Sequence, residues 1–155
     1  MPLPAGALAP DFELADETGQ TVRLAELRRV EPVVLVFFPL AFSRTCEGEL
    51  GALRDHRDVF EGAGVRLVAV SVDSTFALRA WAEEQRFGFP LLSDFWPHGE
   101  VARAYDAFLE ERGHAARATF VVDEAGVIRA SFATAPGEAR TIEQYRAALA
   151  LLRSA

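Results

Sequence analysis

The residue with the most chemical potential in this chain is Cys46, the only cysteine among 155 residues. It follows an unbroken apolar run, Val33-Val34-Leu35-Val36-Phe37-Phe38, that stops at Pro39, and it precedes a helical pattern. A thiol in the first turn of a helix meets unpaired backbone N–H groups and the positive end of the helix dipole. Together these favour a negative charge by about 0.3–1 kcal/mol at an exposed site. The thiolate is the nucleophilic form of cysteine. Arg44, or an arginine brought from elsewhere, would favour it further, and Ser43 places a hydroxyl within reach of the sulfur or of an incoming oxygen. Pro39 fixes the loop and withholds a backbone donor from one side. The competing reading is a buried structural cysteine, since free cysteine is among the most buried residue types. The position after a central strand favours the reactive reading, because sites in open α/β sheets form at the carboxyl ends of strands.

Other side chains carry less. His56, His98 and His114 show no metal-ligand spacing. His56 lies roughly 280° around its helix from Cys46 at 100° per residue, so it faces elsewhere. Trp81, Phe76 and Phe87 fall at helical spacing and read as core. Trp96 and His98 sit in the loop Phe95-Trp96-Pro97-His98, whose aromatics read either as loop packing or as the lining of an entrance or subunit contact.

Composition narrows the classes. The formal net charge of −7 and the sequence pI of about 5.0 argue against nucleic acid or an anionic membrane as partner. Half the residues are hydrophobic and 12 are phenylalanine, enough for a substantial core. No apolar run approaches the roughly 18 residues of a membrane span. The opening MPLPAGALAPDF has no basic region and no long apolar segment, so no secretory signal is visible and a reducing cytoplasm is the expected compartment. All 16 basic residues are arginine, a bias typical of GC-rich genomes, and without lysine Schiff-base chemistry is excluded. A single cysteine leaves no internal disulfide and no cysteine zinc cluster, and neither metal nor cofactor is expected.

These residues need elements to position them. Phe12 and Leu14, a turn at Asp16 to Gly19, then Val22 and Leu24 predict an N-terminal β-hairpin. Leu24 to Arg29 is about one helical turn, ended at Glu31-Pro32. Val33 to Phe38 is apolar on both faces and predicts a central strand covered on both sides. Thr45 to Glu61 predicts one helix, with Cys46, Leu50, Leu53 and Phe60 on one side and an unexplained Arg57 among them. Gly62 and Gly64 end it. Val65 to Val72 is a second strand, followed by a helix over Thr75 to Arg86 capped by Asp73 or Ser74. A short extended piece at 89–93, a loop at Asp94 to Gly99 and a short helix from Glu100 to Tyr105 come next. Ala118 to Val122 and Val127 to Phe132 form a hairpin, and Thr141 to Leu152 a C-terminal helix. No repeat or linker divides the chain, so residues 1–155 are expected to form one α/β domain, with strand–helix–strand–helix, hairpin and helix in the order of a thioredoxin-like fold.

The segment Pro39-Leu40-Ala41-Phe42-Ser43-Arg44-Thr45-Cys46 has the PxxxT/SxxC form and resembles the peroxidatic signature of the peroxiredoxins. Four further blocks lie in family order: Gly6 to Phe12, Val34 to Pro39, Phe89 to Asp94 and Arg117 to Asp123. FFPLAF, CEGEL and LLSDFWPHG are most similar to the alkyl hydroperoxide reductase E subgroup of actinobacteria. The resemblance covers nearly the whole chain. It implies that Cys46 is the peroxidatic nucleophile, that Ser43 hydrogen-bonds the sulfur and the peroxide, and that Pro39 shields the site. It also selects Arg117 as the guanidinium beside the thiolate, a choice the residues alone leave open between Arg44 and others. Glu49 matches a glutamate that follows the cysteine by three in many members, either pairing an arginine or standing exposed on the helix. Phe42 either offers apolar surface to the tail of an organic peroxide or simply packs the loop; Trp96 and His98 are further candidates to line the substrate.

The implied product is a sulfenic acid. With no second cysteine to resolve it, the reductant must come from outside. The resemblance suggests mycothiol with a mycoredoxin, or a thioredoxin, and a homodimer. Hydrogen peroxide, organic hydroperoxides and peroxynitrite all remain possible substrates. The alternative is a thioredoxin-like redox sensor or mixed-disulfide binding module without efficient turnover. Pro39, Ser43 and Arg117 together favour the enzyme, because a disulfide exchanger does not need them and usually carries Cys-x-x-Cys.

Overall fold

The computed structural model describes residues 1–153. The apolar run forms the strand β3, Val33–Phe37, whose five residues are all buried. It is apolar throughout because alternate side chains enter two different cores. Val33, Leu35 and Phe37 pack with Leu24, Tyr105 and Phe120 on one face. Val34, Val36 and Phe38 pack with Cys46, Leu50, Trp81 and Tyr145 on the other.

The N-terminal hairpin is β1, Glu13–Asp16, and β2, Thr21–Arg23, followed by a helix α1, Leu24–Val30, longer than the single turn expected. After β3 the single helix expected from Thr45 to Glu61 is two helices, α2 (Arg44–Asp55) and α3 (Arg57–Ala63). The break falls at His56, whose ring Nδ1 lies 2.9 Å from the Ala52 carbonyl oxygen. Arg57 restarts the chain and explains its place on the apolar side: its Nη2 donates to the Phe87 carbonyl at 3.1 Å, against Gly88. Gly64 ends α3 with a left-handed φ of 69°.

Next come β4, Arg66–Ser71, α4, Thr75–Gln85, and β5, Leu91–Ser93. Ser74 caps α4 by accepting from Ala77 N at 3.2 Å. Trp81 and Phe87 are core as expected, but Phe76 is 84% exposed, because it sits in the first turn of α4 on the side away from the sheet. The short helix α5 covers Glu100–Ala104. A two-stranded hairpin of β6, Phe108–Leu109, and β7, His114–Ala115, follows and has no counterpart in the sequence reading. Then come β8, Arg117–Val122, β9, Ile128–Thr134, and α6, Ile142–Arg153.

The main sheet runs β2-β1-β5-β4-β3-β8-β9. β3, β4 and β5 are parallel, whereas β8 is antiparallel to β3. The expected thioredoxin-like α/β arrangement is therefore observed, with α2, α4 and α6 contributing to one core and α1 and α5 to the other. One consequence of the register positions the chemistry. Val36 pairs with Thr119, so the end of β3, where the chain turns toward Cys46, lies beside the start of β8, where Arg117 stands.

Candidate active site

Residues 39–43 carry the chain from β3 into α2. Phe42 adopts a left-handed φ of 68°, a conformation that costs a side-chain-bearing residue about 1–2 kcal/mol. Two contacts hold it there. Ala41 N–H donates to Asp73 Oδ2 at 2.7 Å, and the Phe42 ring lies 6.0 Å from that of Trp81. Ser71 Oγ donates to the same Asp73 oxygen at 2.7 Å, so the ends of β3 and β4 are tied through one carboxylate.

Ser43 is the N-cap of α2. Its Oγ accepts from Cys46 N–H at 3.3 Å, which satisfies one orphan donor of the first turn. The hydroxyl proton remains for an acceptor in the cleft. Cys46 therefore occupies the third helical position, and it is fully buried. Its neighbour Glu47 is held away, with Oε1 accepting from Gln85 Nε2 at 2.9 Å and from Trp81 Nε1 at 3.5 Å.

One turn on, Glu49 faces the same side of α2 and accepts four hydrogen bonds. Its Oε1 takes Arg117 Nη1 and Arg140 Nη2, each at 2.8 Å. Its Oε2 takes Arg140 N at 2.7 Å and Arg140 Nε at 2.8 Å. Arg117 also donates from Nε to the Pro136 carbonyl at 2.6 Å, and Arg140 from Nη1 to Thr119 Oγ1 at 3.0 Å; Thr119 in turn donates to Tyr145 Oη at 3.2 Å. Glu49, Arg117 and Arg140 are all buried. No buried side-chain nitrogen or oxygen among the described residues lacks a partner. Burial would push the Glu49 carboxyl up, but the hydrogen bonds and charge of Arg140, then the charge of Arg117, outweigh it and hold the carboxyl below its ordinary range. Burial likewise opposes the charge on Arg140, and Tyr145, Glu49 and Cys46 outweigh it, raising that guanidinium further. One carboxylate against two guanidiniums leaves the cluster one negative charge short. Cys46, fully buried, belongs to the same core cluster as Tyr145, which bonds Thr119 of this network.

A cleft of about 520 Å³ opens beside these residues, lined by Pro39, Ser43, Arg44, Arg117 and the tip of the β6–β7 hairpin, which brings Arg112 and His114. Pro39, Ser43, Arg117 and Glu49 thus converge on the start of α2. The structure does not bring Phe42, Trp96 or His98 into the lining of that cleft. Phe42 packs toward Trp81, and Trp96 borders a separate hollow with Asp11 and Glu100. His98 is turned to the hairpin, its Nε2 lying 2.7 Å from the Gly113 carbonyl oxygen. Arg140 escaped the sequence reading altogether. It stands in the irregular stretch before α6, and nothing local marks it for burial.

The sequence profile of the AhpC/TSA family matches residues 5–131. Alkyl hydroperoxide reductase E of Mycobacterium tuberculosis is 49% identical over 150 residues, covering 97% of this chain and 98% of the relative. A chloroplastic 2-Cys peroxiredoxin BAS1 of Spinacia oleracea is 30% identical over 96% of this chain and 59% of its own length. Among solved structures, the peroxidoxin BcpB of Mycobacterium tuberculosis superposes with a TM-score of 0.84 at 31% identity, covering 98% of this chain and 97% of the other. AhpC of the same organism superposes at 0.83 with 25% identity over 99% of each chain.

Proposed function

The chain belongs to the AhpC/TSA family and is a peroxiredoxin, a thiol peroxidase, and from that premise we propose that it runs a one-cysteine cycle on Cys46. The Cys46 thiolate attacks one oxygen of a hydroperoxide. An S–O bond forms, the O–O bond breaks, and the departing oxygen takes a proton and leaves as an alcohol or water, or leaves within nitrite where the substrate is peroxynitrite. Cys46 is oxidised by two electrons to the sulfenic acid and the peroxide is reduced. Ser43 donates a hydrogen bond from its hydroxyl to the peroxide, and Arg117 directs its uncommitted guanidinium hydrogens at the charge that develops as the O–O bond opens. Pro39 keeps a competing backbone donor out of the cleft wall. An external thiol then attacks the sulfenic sulfur, water leaves, and a mixed disulfide forms; a second thiol releases Cys46 reduced.

The substrates are hydrogen peroxide, organic hydroperoxides or peroxynitrite. The external reductant is a low-molecular-weight thiol such as mycothiol, with a mycoredoxin, or a thioredoxin. The setting is a reducing cytoplasm, and residues 1–155 act as one domain. Association is as a homodimer. Strand β9 supports this: it is an edge strand of the main sheet, and among the described residues its backbone bonds on that edge are confined to Ile128, with Gly6 N–H donating to Ile128 O at 2.7 Å and Ile128 N–H to Ala7 O at 2.9 Å. No helix among the described residues is long and apolar enough to cross a membrane.

The observation that carries the reading is Cys46 in the first turn of α2 beside a buried Glu49–Arg117–Arg140 cluster one negative charge short. Stopped-flow fluorescence tests it. Trp81 lies in the same core cluster as Cys46 and reports its oxidation. The reduced protein mixed with peroxide is expected to react at a rate on the order of 10⁴ M⁻¹s⁻¹ or faster. Cys46→Ser abolishes the signal while circular dichroism stays native. A rate like that of free cysteine would instead favour a redox sensor without turnover.

A further inference from the structure

The mouth of the cleft carries more positive charge than the chemistry at Cys46 consumes. Arg117 is committed to Glu49 and to the Pro136 carbonyl. Arg44 and Arg112 line the same cleft, are exposed, and make no ion pair among the described residues. His114 completes the rim, with Nδ1 2.9 Å from the Ala115 carbonyl oxygen and Nε2 making no hydrogen bond among the described residues. Among the described residues no aspartate or glutamate lines this cleft, although acidic residues outnumber basic ones 23 to 16 in the chain.

The rim is also braced. Arg112 and His114 stand at the tip and on the returning strand of the β6–β7 hairpin. His98 holds Gly113 between them. Arg103 forks Glu110 at 2.8 and 3.1 Å, bonds the His98 carbonyl, and lies 4.1 Å over the Phe108 ring. Gly99 leaves the space for that ring, since a Cβ there would come within 2.3 Å of Phe108. A single exposed ion pair holds little. Here a fork, a histidine bond and a cation–π contact converge on a hairpin of four strand residues, and what the hairpin presents is Arg112 and His114.

We propose that Arg44, Arg112 and His114 form a carboxylate subsite in the cleft beside the buried Cys46, so that a co-reactant of Cys46 is a small molecule bearing a carboxylate. Guanidinium groups suit a carboxylate because their planar forks match its two oxygens. In a protein of net charge −7 the rim also offsets the repulsion that an anionic reactant meets on approach. Two reactants qualify: a resolving thiol that itself bears a carboxylate, which mycothiol does not, or the peroxide itself. Only that assignment rests on the peroxidase reading; the subsite does not.

The subsite is tested on the full chain with reagents matched except for charge. Iodoacetate and iodoacetamide both alkylate the reduced Cys46 thiolate, forming a C–S bond and releasing iodide, and Cys46 is the only thiol present. The expected result is an iodoacetate-to-iodoacetamide rate ratio that falls roughly two- to fivefold in Arg112→Gln, and again in Arg44→Gln, relative to the native protein. The native ratio also falls with added salt. Each variant is its own control, because Cys46 is buried and whatever exposure alkylation needs is common to both reagents. The source is then assigned by two further ratios. One compares mercaptosuccinate with β-mercaptoethanol in resolving the sulfenic acid. The other compares a carboxylated hydroperoxide with tert-butyl hydroperoxide in forming it. A ratio that falls in the thiol arm assigns the reductant, and one that falls in the peroxide arm assigns the substrate. An alkylation ratio unchanged by both substitutions overturns the subsite. Failure of Cys46 to react with any peroxide, with the alkylation ratio still charge-dependent, overturns the peroxidase reading and leaves the subsite standing.

Discussion

Replacing Glu49 by glutamine removes one negative charge from the buried cluster while keeping its shape. A carboxamide oxygen can still accept from Arg117 Nη1 and Arg140 Nη2, but its NH₂ would then face Arg140 N and Nε, two donors that now meet a donor. Two guanidiniums are left buried with no anion between them. Breaking a buried pair in this way costs about 3–5 kcal/mol. In a domain of this size each kcal/mol lowers Tm by about 2–4 °C, so the expected fall is about 6–20 °C at pH 7. The pH dependence sharpens the test. The folded Glu49 carboxyl titrates below its ordinary value of 4.5, so its stabilisation is complete above that pH and is lost as pH falls through the lowered folded value. The native protein should therefore lose its advantage on acidification, and the two melting temperatures should converge. Calorimetric melts of both proteins between pH 7 and pH 3 check this. A variant melting within about 2 °C of the native protein at pH 7, or a gap indifferent to pH, would refute the assignment of Glu49 as the counter-charge of both arginines.

Other substitutions probe separate parts of the site. Arg117→Ala should slow oxidation of Cys46 by about 10²–10³-fold in stopped-flow, the usual loss for a donor to developing charge; an unchanged rate would remove Arg117 from the reacting centre. Ser43→Ala should cost about 1 kcal/mol of stability through the lost cap and slow oxidation as well, whereas Ser43→Thr should restore both, as read by melts and peroxide kinetics. Gly88→Ala should destabilise by about 1–3 kcal/mol, because φ is +84° and the new Cβ would lie 1.7 Å from Arg57 Nη2. Adding Arg57→Ala should recover part of that loss, and strictly additive denaturation energies would refute the clash.

How much of this was legible depends on where the signal resides. The double-faced burial of β3 could be read because an unbroken apolar run fits a short strand only when both of its faces are covered. Ser43 reads from the sequence only as a hydroxyl near the sulfur and not as the cap of α2, because the pattern starts the helix only at Thr45; Glu49 is singled out through the family resemblance, with its arginine partner left open. The break at His56 could not, since Asp55-His56-Arg57-Asp58 contains neither glycine nor proline and the separation of α2 from α3 is a tertiary effect. Phe76 misled because helical spacing gives a face but not its width. The β6–β7 hairpin has strands of two residues each, too short for any alternation to show. Arg117 was chosen through resemblance, not physics. Arg140 had no local mark at all, because its burial is set by a carboxylate 91 positions earlier in the chain.

That last separation has a consequence for biosynthesis. The bonds from Glu49 span 68 residues to Arg117 and 91 to Arg140. Contacts this distant are slow to close and cannot form until the later segment has left the ribosome. A nascent chain that displays Cys46 but ends before Arg117 therefore lacks both guanidiniums of the cluster. On the proposed role of Cys46, a ribosome-bound chain that ends before Arg117 should therefore react with peroxide no faster than free cysteine.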